Sequence, residues 1–559
     1  MKKVIVLYLL LAFFSFNAFA QFTKYVVKFT DKASTPFSIN NPSSFLSQKA
    51  IDRRVKQNIA IDESDLPIVP RYIDSVRLSG DVSILNQSKW LNQVCIETND
   101  AGALEKISRF SFVINTRPVK KVSRQEIMAR NKFIVETKEI TSPLSPAGVS
   151  DFNYGNSFGQ IHIHEGEYMH NKGFRGEGML MAIIDAGFYH YQTLPAFDSA
   201  RLNHQIVATY DFVDNKVNVN DEDPHGMQCF SIIAGNIPGK LVGSSPKANF
   251  LLYRSEDVSS ESPVEEQYWV AAAERSDSAG ADIISTSLGY STFDNPAFNY
   301  TYADMNGHTT LIAKGASFAA KKGMILLVAA GNDGENSWHF ISTPADADSI
   351  LTVGAVTASG KVAGFSGYGP SSDRRIKPTV ASVGVATAIS SVNGTITSGN
   401  GTSFATPNLA GLVACLWQAF PEFSNMEIMA AVAKSASIYN APDDRIGYGI
   451  PNFRMAFEDL SRQRILRNAN TILGNNTIKI YPNPFRNNFT VLIRPENTSA
   501  ATFSLYDAAG KLCMFKQIPL QTGQAQFINF EDLQPLSRGV YILRFGDGKS
   551  VQSFKMVMQ

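Results

Sequence analysis

The sequence predicts a doubly wound α/β domain with a mostly parallel sheet, preceded by a small α/β domain and followed by a C-terminal β-sandwich. Three observations carry that expectation. The 559 residues exceed what one ordinary core organises, so several domains are expected. Between residues 153 and 460, "LMAIIDAGF", "ADIISTSLG", "MILLVAAGN" and "SILTVGAV" are near-continuous apolar runs ending in Gly or polar residues. Such runs are strands covered on both faces, and the helical spacers between them give a sheet wound on both sides. Beyond residue 476, "IKIYP", "FTVLI", "TFSLYD", "QFINF", "VYILRF" and "SFKMVM" are short strands separated by Asn, Asp and Gly turns, the pattern of a sandwich.

From the N-terminus, Lys2 and Lys3 precede an apolar run over residues 4–16, followed by "NAFA" and Gln21. The run is short for a membrane span, and Ala18 and Ala20 supply a small-x-small cleavage pattern. Residues 1–20 are therefore read as a signal peptide, and the protein as exported. Residues 21–122 form the small α/β unit. "KYVVKFT", "DVSILNQ", "NQVCIET" and "FVINTRPV" are its strands, with helices around 45–58, 71–78 and 101–109. Residues 123–152 turn charged and then rich in Ser, Pro and Gly, which suits an exposed linker open to proteolysis. The large domain takes 153–460, an Arg- and Asn-rich linker 461–476, and the sandwich 477–559.

Charge narrows the function classes. Fifty-one Lys and Arg against 50 Asp and Glu leave no basic stripe, so no nucleic-acid partner is expected. The four cysteines form no CxxC pair, which removes a zinc ribbon and a dense disulfide framework. Cys229 and Cys415 read as small buried hydrophobes.

"GTSFATPNLAG", residues 401–411, puts Ser403 in the first turn of a helix whose apolar stripe is Leu409, Leu412, Val413, Leu416, Trp417 and Phe420. Alone, that serine reads as an N-cap. Three other residues change its meaning. "AIIDAG" sets Asp185 at the end of a buried strand, where a carboxylate needs a partner. "DPHGMQCFSIIAG" sets His225 at a helix start, and "VAAGNDG" sets Asn332 in a tight turn after a buried strand. A serine hydroxyl is a weak nucleophile until a His removes its proton, and that His needs a carboxylate to fix its tautomer. The oxyanion then formed needs donors, which an Asn amide and a helix-start N–H supply. The rate should rise as His225 becomes neutral, at about pH 6 to 7. The chain order Asp, His, Ser differs from that of α/β-hydrolases and of the chymotrypsin group, and there is no GxSxG elbow.

Between residues 176 and 411, "GEGMLMAIIDAGF", "HGMQCFSIIAG", "STSLGY", "VAAGN" and "GTSFATPNLAG" resemble, in order, the signatures of subtilisin-like serine proteases. The resemblance implies Asp185, His225 and Ser403 as the triad and Asn332 as the oxyanion donor of an endopeptidase that acts through an acyl-enzyme without a cofactor. Met227, Gln228, Phe404 and Asn408 depart from the family's usual residues, and none removes a triad group. The resemblance also gives the primary specificity pocket to Ser287, Leu288, Gly289, Ala330 and Gly331. These residues are small, and neither segment carries an acid, so broad or large apolar substrate side chains are expected, with Tyr290 narrowing the rim or the adjoining subsites.

Calcium stabilises many members of the family, but no ligand set carries over to this chain. His162, His164 and His170 look like a metal set on paper; an H-x-H on a strand reads as packing, and no metal is assigned. Residues 21–122 resemble the family's inhibitory propeptides in pattern and position. "IYPNPFRNNFTV", "YDAAGK" and "LSRGVYILRFGDGKSVQSFKMV" resemble the C-terminal sorting domain of the type IX secretion pathway. That implies export through the periplasm to the cell surface or medium. The partners implied are protein or peptide substrates, the chain's own propeptide and the secretion machinery. The alternative is a catalytically silent peptide-binding or adhesion protein on the same fold.

Overall fold

The computed structural model describes residues 22–121, 138–139, 152–220, 222–469, 473, 477–495, 500–522, 525–531, 533 and 536–559. The signal peptide and nearly all of the 123–152 linker lie outside the described residues. The chain divides into two compact units, one ending at Phe457 and the other beginning at Glu458.

The N-terminal domain comprises β1 (Phe22–Phe29), α1 (Gln48–Lys56), α2 (Pro70–Arg77), β2 (Ser83–Ser88), β3 (Gln93–Glu97), α3 (Ala101–Ser108) and β4 (Val113–Lys121). The four strands form an antiparallel sheet in the order β2-β3-β1-β4. Local chemistry starts each helix: Ser47 caps α1, Pro70 opens α2, and Asp100 caps α3. Val27, Phe29, Val94 and Ile96 on the sheet pack with Tyr72, Val76 and Ile107 from the helices.

In the large domain the strands are β5 (Leu180–Asp185), β6 (Ile206–Asp211), β7 (Asn249–Arg254), β8 (Ile283–Thr286), β9 (Ile325–Ala329), β10 (Leu351–Val356) and β11 (Val380–Val383). They form one parallel sheet, β11-β10-β9-β8-β5-β7-β6. The apolar runs predicted β5, β8, β9 and β10. The other three were not among them: β6 is a half-exposed edge, β11 has four residues, and β7, though buried, has an apolar run of only four residues, Phe250 to Tyr253. Helices α5 (Val264–Ala279) and α6 (Leu311–Lys321) set Trp269, Val270, Ile312 and Ala316 against Ala182, Ile184, Leu326 and Val328. Helices α4 (His225–Ala234) and α7 (Thr402–Ala419) pack on each other, and α7 crosses β8 to β11. From β5 the chain winds one way to β7 and the other way through β8 to β11. The carboxyl ends of the strands around that switch enclose a crevice, as expected for this architecture.

The N-terminal domain meets α5 through buried ions. The Arg54 guanidinium reaches Asp65 at 2.7 Å and Asp277 at 2.8 Å, Arg53 also pairs with Asp277, and Lys322 reaches Asp65 at 2.8 Å. Beside them Glu274 accepts from Ser88 Oγ and from the backbone N–H groups of Lys89 and Trp90; burial pushes its carboxyl up to about 7.

In the second unit, Ile478–Tyr481, Phe489–Ile493 and Gln526–Phe530 form one sheet. Leu512–Pro519, Ala500–Asp507, Gly539–Gly546 and Val551–Met558 form the other. The sheets share a core that includes Phe489, Val491, Phe503, Leu505, Leu543 and Phe545. Leu512–Pro519 was not among the expected strands because it is an edge strand with little buried side chain. The helix Phe453–Arg467 also runs past the expected boundary at 460, helped by a bond from Gln463 to Asp459 one turn back.

Candidate active site

Three strand ends and two helix starts converge on the crevice. Asp185 closes β5 fully buried, and its Oδ1 accepts from the Ala186 N–H at 2.7 Å and lies 2.6 Å from His225 Nδ1. His225 is the first residue of α4, whose opening turn is tied by Asp223 Oδ1 accepting from the His225 N–H at 2.8 Å. The helix can approach β5 this closely because residue 226 is Gly; a Cβ there would stand 2.4 Å from the Gly187 carbonyl oxygen and 2.8 Å from Asp185 Cβ. Helix α7 begins at Thr402, with Gly401 as N-cap and no side-chain capping bond. Ser403 is therefore not a cap. Its carbonyl accepts from Ser287 Oγ at 2.8 Å and from Cys229 Sγ at 3.3 Å, which fixes the turn under the hydroxyl.

Asn332 lies beyond β9, after Gly331, whose φ of +99° admits few other residues. Its Oδ1 accepts both the N–H and the hydroxyl of Thr402 at 2.9 Å. The amide oxygen is occupied, so the NH₂ end is left to donate. Phe404 packs with Cys229, Ile232 and Ile389, and Asn408 bonds the Gln160 carbonyl and Ser382 Oγ, so these two of the four family departures are structural fillers behind the site.

Burial works against a charge on His225, but the Asp185 carboxylate outweighs it and holds the imidazole well above the ordinary value of 6.5. A general base must be neutral, so activity is lost as pH falls through that raised pKa. The rising limb of kcat/KM is expected on the alkaline side of the ordinary histidine range, higher than the bare side chain suggests. A pH profile with peptide substrate checks this; a limb centred at about pH 6 to 7 would contradict the Asp185 coupling. Burial raises the Cys229 thiol, 4.0 Å from His225 Nδ1, and so keeps it protonated.

A cavity of about 250 Å³ gathers His225, Ser403 and Asn332 with Ser287, Leu288, Gly289 and Gly331. Two expectations need correction. Ala330 does not line it: Ala330 is fully buried, its N–H bonded to Val353 O and its carbonyl to the Ser342 N–H, and Ala329 lines the cavity instead. Alternation of side chains along extended chain moves the contact by one residue. Tyr290 does not narrow the rim; it is buried against Phe293, with its hydroxyl on Glu256. Acidic residues from outside the two segments also reach the cavity: Glu256, Glu261 and Asp333 line it, the first two from the loop after β7.

The three histidines diverge. His162 ends the helix Phe158–His162, not a strand, stacked on Phe158 and 2.6 Å from Glu167. His164 bonds the Pro451 carbonyl and Ser382, His170 bonds Tyr154 and the Ser244 carbonyl, and burial lowers both to about 4. Among the described residues, three acidic or mixed groups have metal-ligand spacing: Asp185, His225 and Cys229; Asp211, Asp214 and Glu222; and Glu256, Glu261 and Glu265. The second already holds the cations of Arg254 and Lys216, with contacts of 2.6–3.7 Å, and so offers calcium little net charge.

Residues 176–449 match the profile of the Subtilase family. Residues 24–132 match the Peptidase S8 propeptide domain of Bacteroidota, and 479–559 the Secretion system C-terminal sorting domain. Thermophilic serine proteinase of Bacillus sp. strain AK1 is 28% identical over 276 residues, 49% of this chain and 60% of that protein. Subtilisin E of Bacillus subtilis strain 168 is 26% identical over 291 residues, 52% of this chain and 68% of that protein. The crystal structure of MycP1 from Mycobacterium smegmatis aligns with a TM-score of 0.42 at 21% identity, over 58% of this chain and 89% of that one. With the three profiles in this order along one chain, the protein belongs to the subtilase family of serine peptidases, as a secreted member with an N-terminal propeptide domain and a type IX C-terminal sorting domain.

Proposed function

We propose that the chain is a secreted serine endopeptidase that cuts proteins or peptides through an acyl-enzyme on Ser403. The observation that carries the reading is the convergence of His225, Ser403 and Asn332 on one cavity, with the Asp185 carboxylate 2.6 Å behind the imidazole. Ser403 Oγ attacks the substrate carbonyl while His225 takes its proton. Asp185 holds the imidazole in the tautomer with a proton on Nδ1 and stabilises the imidazolium. Negative charge on the carbonyl oxygen meets the Asn332 NH₂ group and the N–H groups at the start of α7. His225 then returns the proton to the leaving amine, and water hydrolyses the acyl-enzyme by the reverse sequence. No step calls for a cofactor.

Ser287, Leu288, Gly289 and Gly331 form the walls that receive the substrate chain. Residues 21–122 act as the inhibitory propeptide, and 477–559 carry the protein out through the periplasm and outer membrane.

A fluorophosphonate probe should label the mature protein at Ser403. Absence of labelling would favour the silent peptide-binding alternative. Asn332→Ala keeps nucleophile and base and should lower kcat by roughly 10² to 10³, a magnitude measured in a subtilisin and not deduced from these distances. Labelling should persist at a reduced rate. An unchanged kcat would remove Asn332 from the oxyanion site.

A further inference from the structure

We infer that one edge of the strand Ile396–Gly399 is a docking strand for the leaving-amine side of a substrate, which pairs with it antiparallel, main chain to main chain. The inference rests on the reading of Ser403 as nucleophile and extends that site beyond its cavity. The strand forms a hairpin with Thr387–Ser390, in which Thr387 faces Gly399 and Ser390 faces Ile396. The hairpin satisfies one edge of Ile396–Gly399. The N–H and C=O groups of the other edge are a template for a further extended chain. Asn400, the next residue, lines the Ser403 cavity, and Gly401 is the N-cap of α7. The edge therefore leads into the turn that carries the nucleophile.

This chain already shows the edge occupied. The backbone of Lys138–Glu139 pairs antiparallel with it, Lys138 opposite Ser398 and Glu139 opposite Thr397. Thr397 is one residue farther than Ser398 from Ser403, so the seated chain recedes from the nucleophile toward its own C-terminus. The leaving side of a substrate runs in that direction, because the amine released from the acyl group begins the C-terminal fragment. A separate contact lies upstream. Lys120, near the end of β4, sets its ammonium 2.7 Å from Asp257 Oδ2 and 2.9 Å from Ser260 Oγ, on the loop that sends Glu256 and Glu261 into the cavity. The chain is thus tied first to a loop of the cavity and later to the strand that ends beside Asn400. A substrate would present its acyl and leaving sides in the same order.

Recognition through the main chain makes this subsite tolerant of sequence and dependent on length. A strand advances about 3.4 Å per residue, so a substrate residue opposite Ser398 lies about 7 Å beyond one opposite Asn400, roughly three to five residues past the cut.

The test uses the mature protein and peptides with one acyl side and either two or five residues past the cut. The longer peptide should show a kcat/KM about tenfold higher, the worth of about two main-chain hydrogen bonds. N-methylation of the third, fourth and fifth leaving-side residues in turn should cancel the gain at alternate residues only, since successive N–H groups of a strand point to opposite sides. Equal values for the two lengths, or a gain that responds equally to all three methylations, would overturn the inference. Lys138→Pro combined with Glu139→Pro removes two N–H groups from the seated strand and should leave the gain the same or larger. Loss of the gain in that variant would mean that Lys138–Glu139 build the site and do not stand in for a substrate, which also overturns it. Fluorophosphonate labelling separates the two readings. Labelled enzyme that ignores leaving-side length sinks only this inference, whereas unlabelled protein sinks the nucleophile with it.

Discussion

Ser403→Ala is expected to lower kcat by about 10⁶, the loss a subtilisin shows without its nucleophile and not a figure deduced from this geometry. The variant keeps the oxyanion donors and the substrate walls, so a residual rate above water should survive. Folding should be intact. Ser403 caps nothing, and the contacts that anchor its turn run through its carbonyl to Ser287 and Cys229. The check is hydrolysis and fluorophosphonate labelling of purified, folded variant: no labelling and near-zero turnover. Undiminished hydrolysis would return the serine to a purely structural role.

The second large effect lies at the propeptide. Arg54 is buried and pairs simultaneously with Asp65 of its own domain and Asp277 on α5. Removing one partner of such a set leaves uncompensated buried charge, at a cost of about 3–5 kcal/mol. By contrast Lys56, exposed on the same helix, should change stability by less than about 0.5 kcal/mol when replaced by Ala. The comparison belongs in the Ser403→Ala precursor, which cannot process itself. Denaturant midpoints with Arg54→Ala and Lys56→Ala should separate widely; equal midpoints would mean that the ionic seam contributes nothing.

The meeting of Asp185, His225 and Ser403 at one crevice was legible in the sequence because each of them sits in a short string whose local structure dictates its pose. Asp185 ends an apolar strand, His225 starts a helix after Pro224, and Ser403 follows a glycine at a helix start. The cleft walls were legible only as segments: Ala329 and Ala330 exchange roles with a one-residue change of facing, which composition does not encode. Glu256 and Glu261 were not legible at all. Their loop follows β7, a strand the apolar-run reading passed over, and nothing local shows that its carboxylates turn toward a serine about 150 residues later in the chain. Nothing local to Arg53 and Arg54 announces their burial, because α5, far along the chain, supplies the counter-charge of Asp277. The 461–476 segment looked like a linker from its Arg and Asn content, yet arginine is a good helix former and the helix continues to Arg467.

The double grip of Thr402 on Asn332 Oδ1 has a thermodynamic meaning. Rotating the amide by half a turn would set its NH₂ against two donors, so the dipole has one permitted orientation. The rotational entropy of that side chain is lost during folding and is not lost again at each turnover. Two hydrogen bonds into the oxygen also draw electron density from the nitrogen, which makes the remaining N–H a stronger donor. In the mechanism we propose, the group that meets charge on the substrate oxygen is already aimed and already polarised, and the reorganisation energy that water would demand is absent from the barrier.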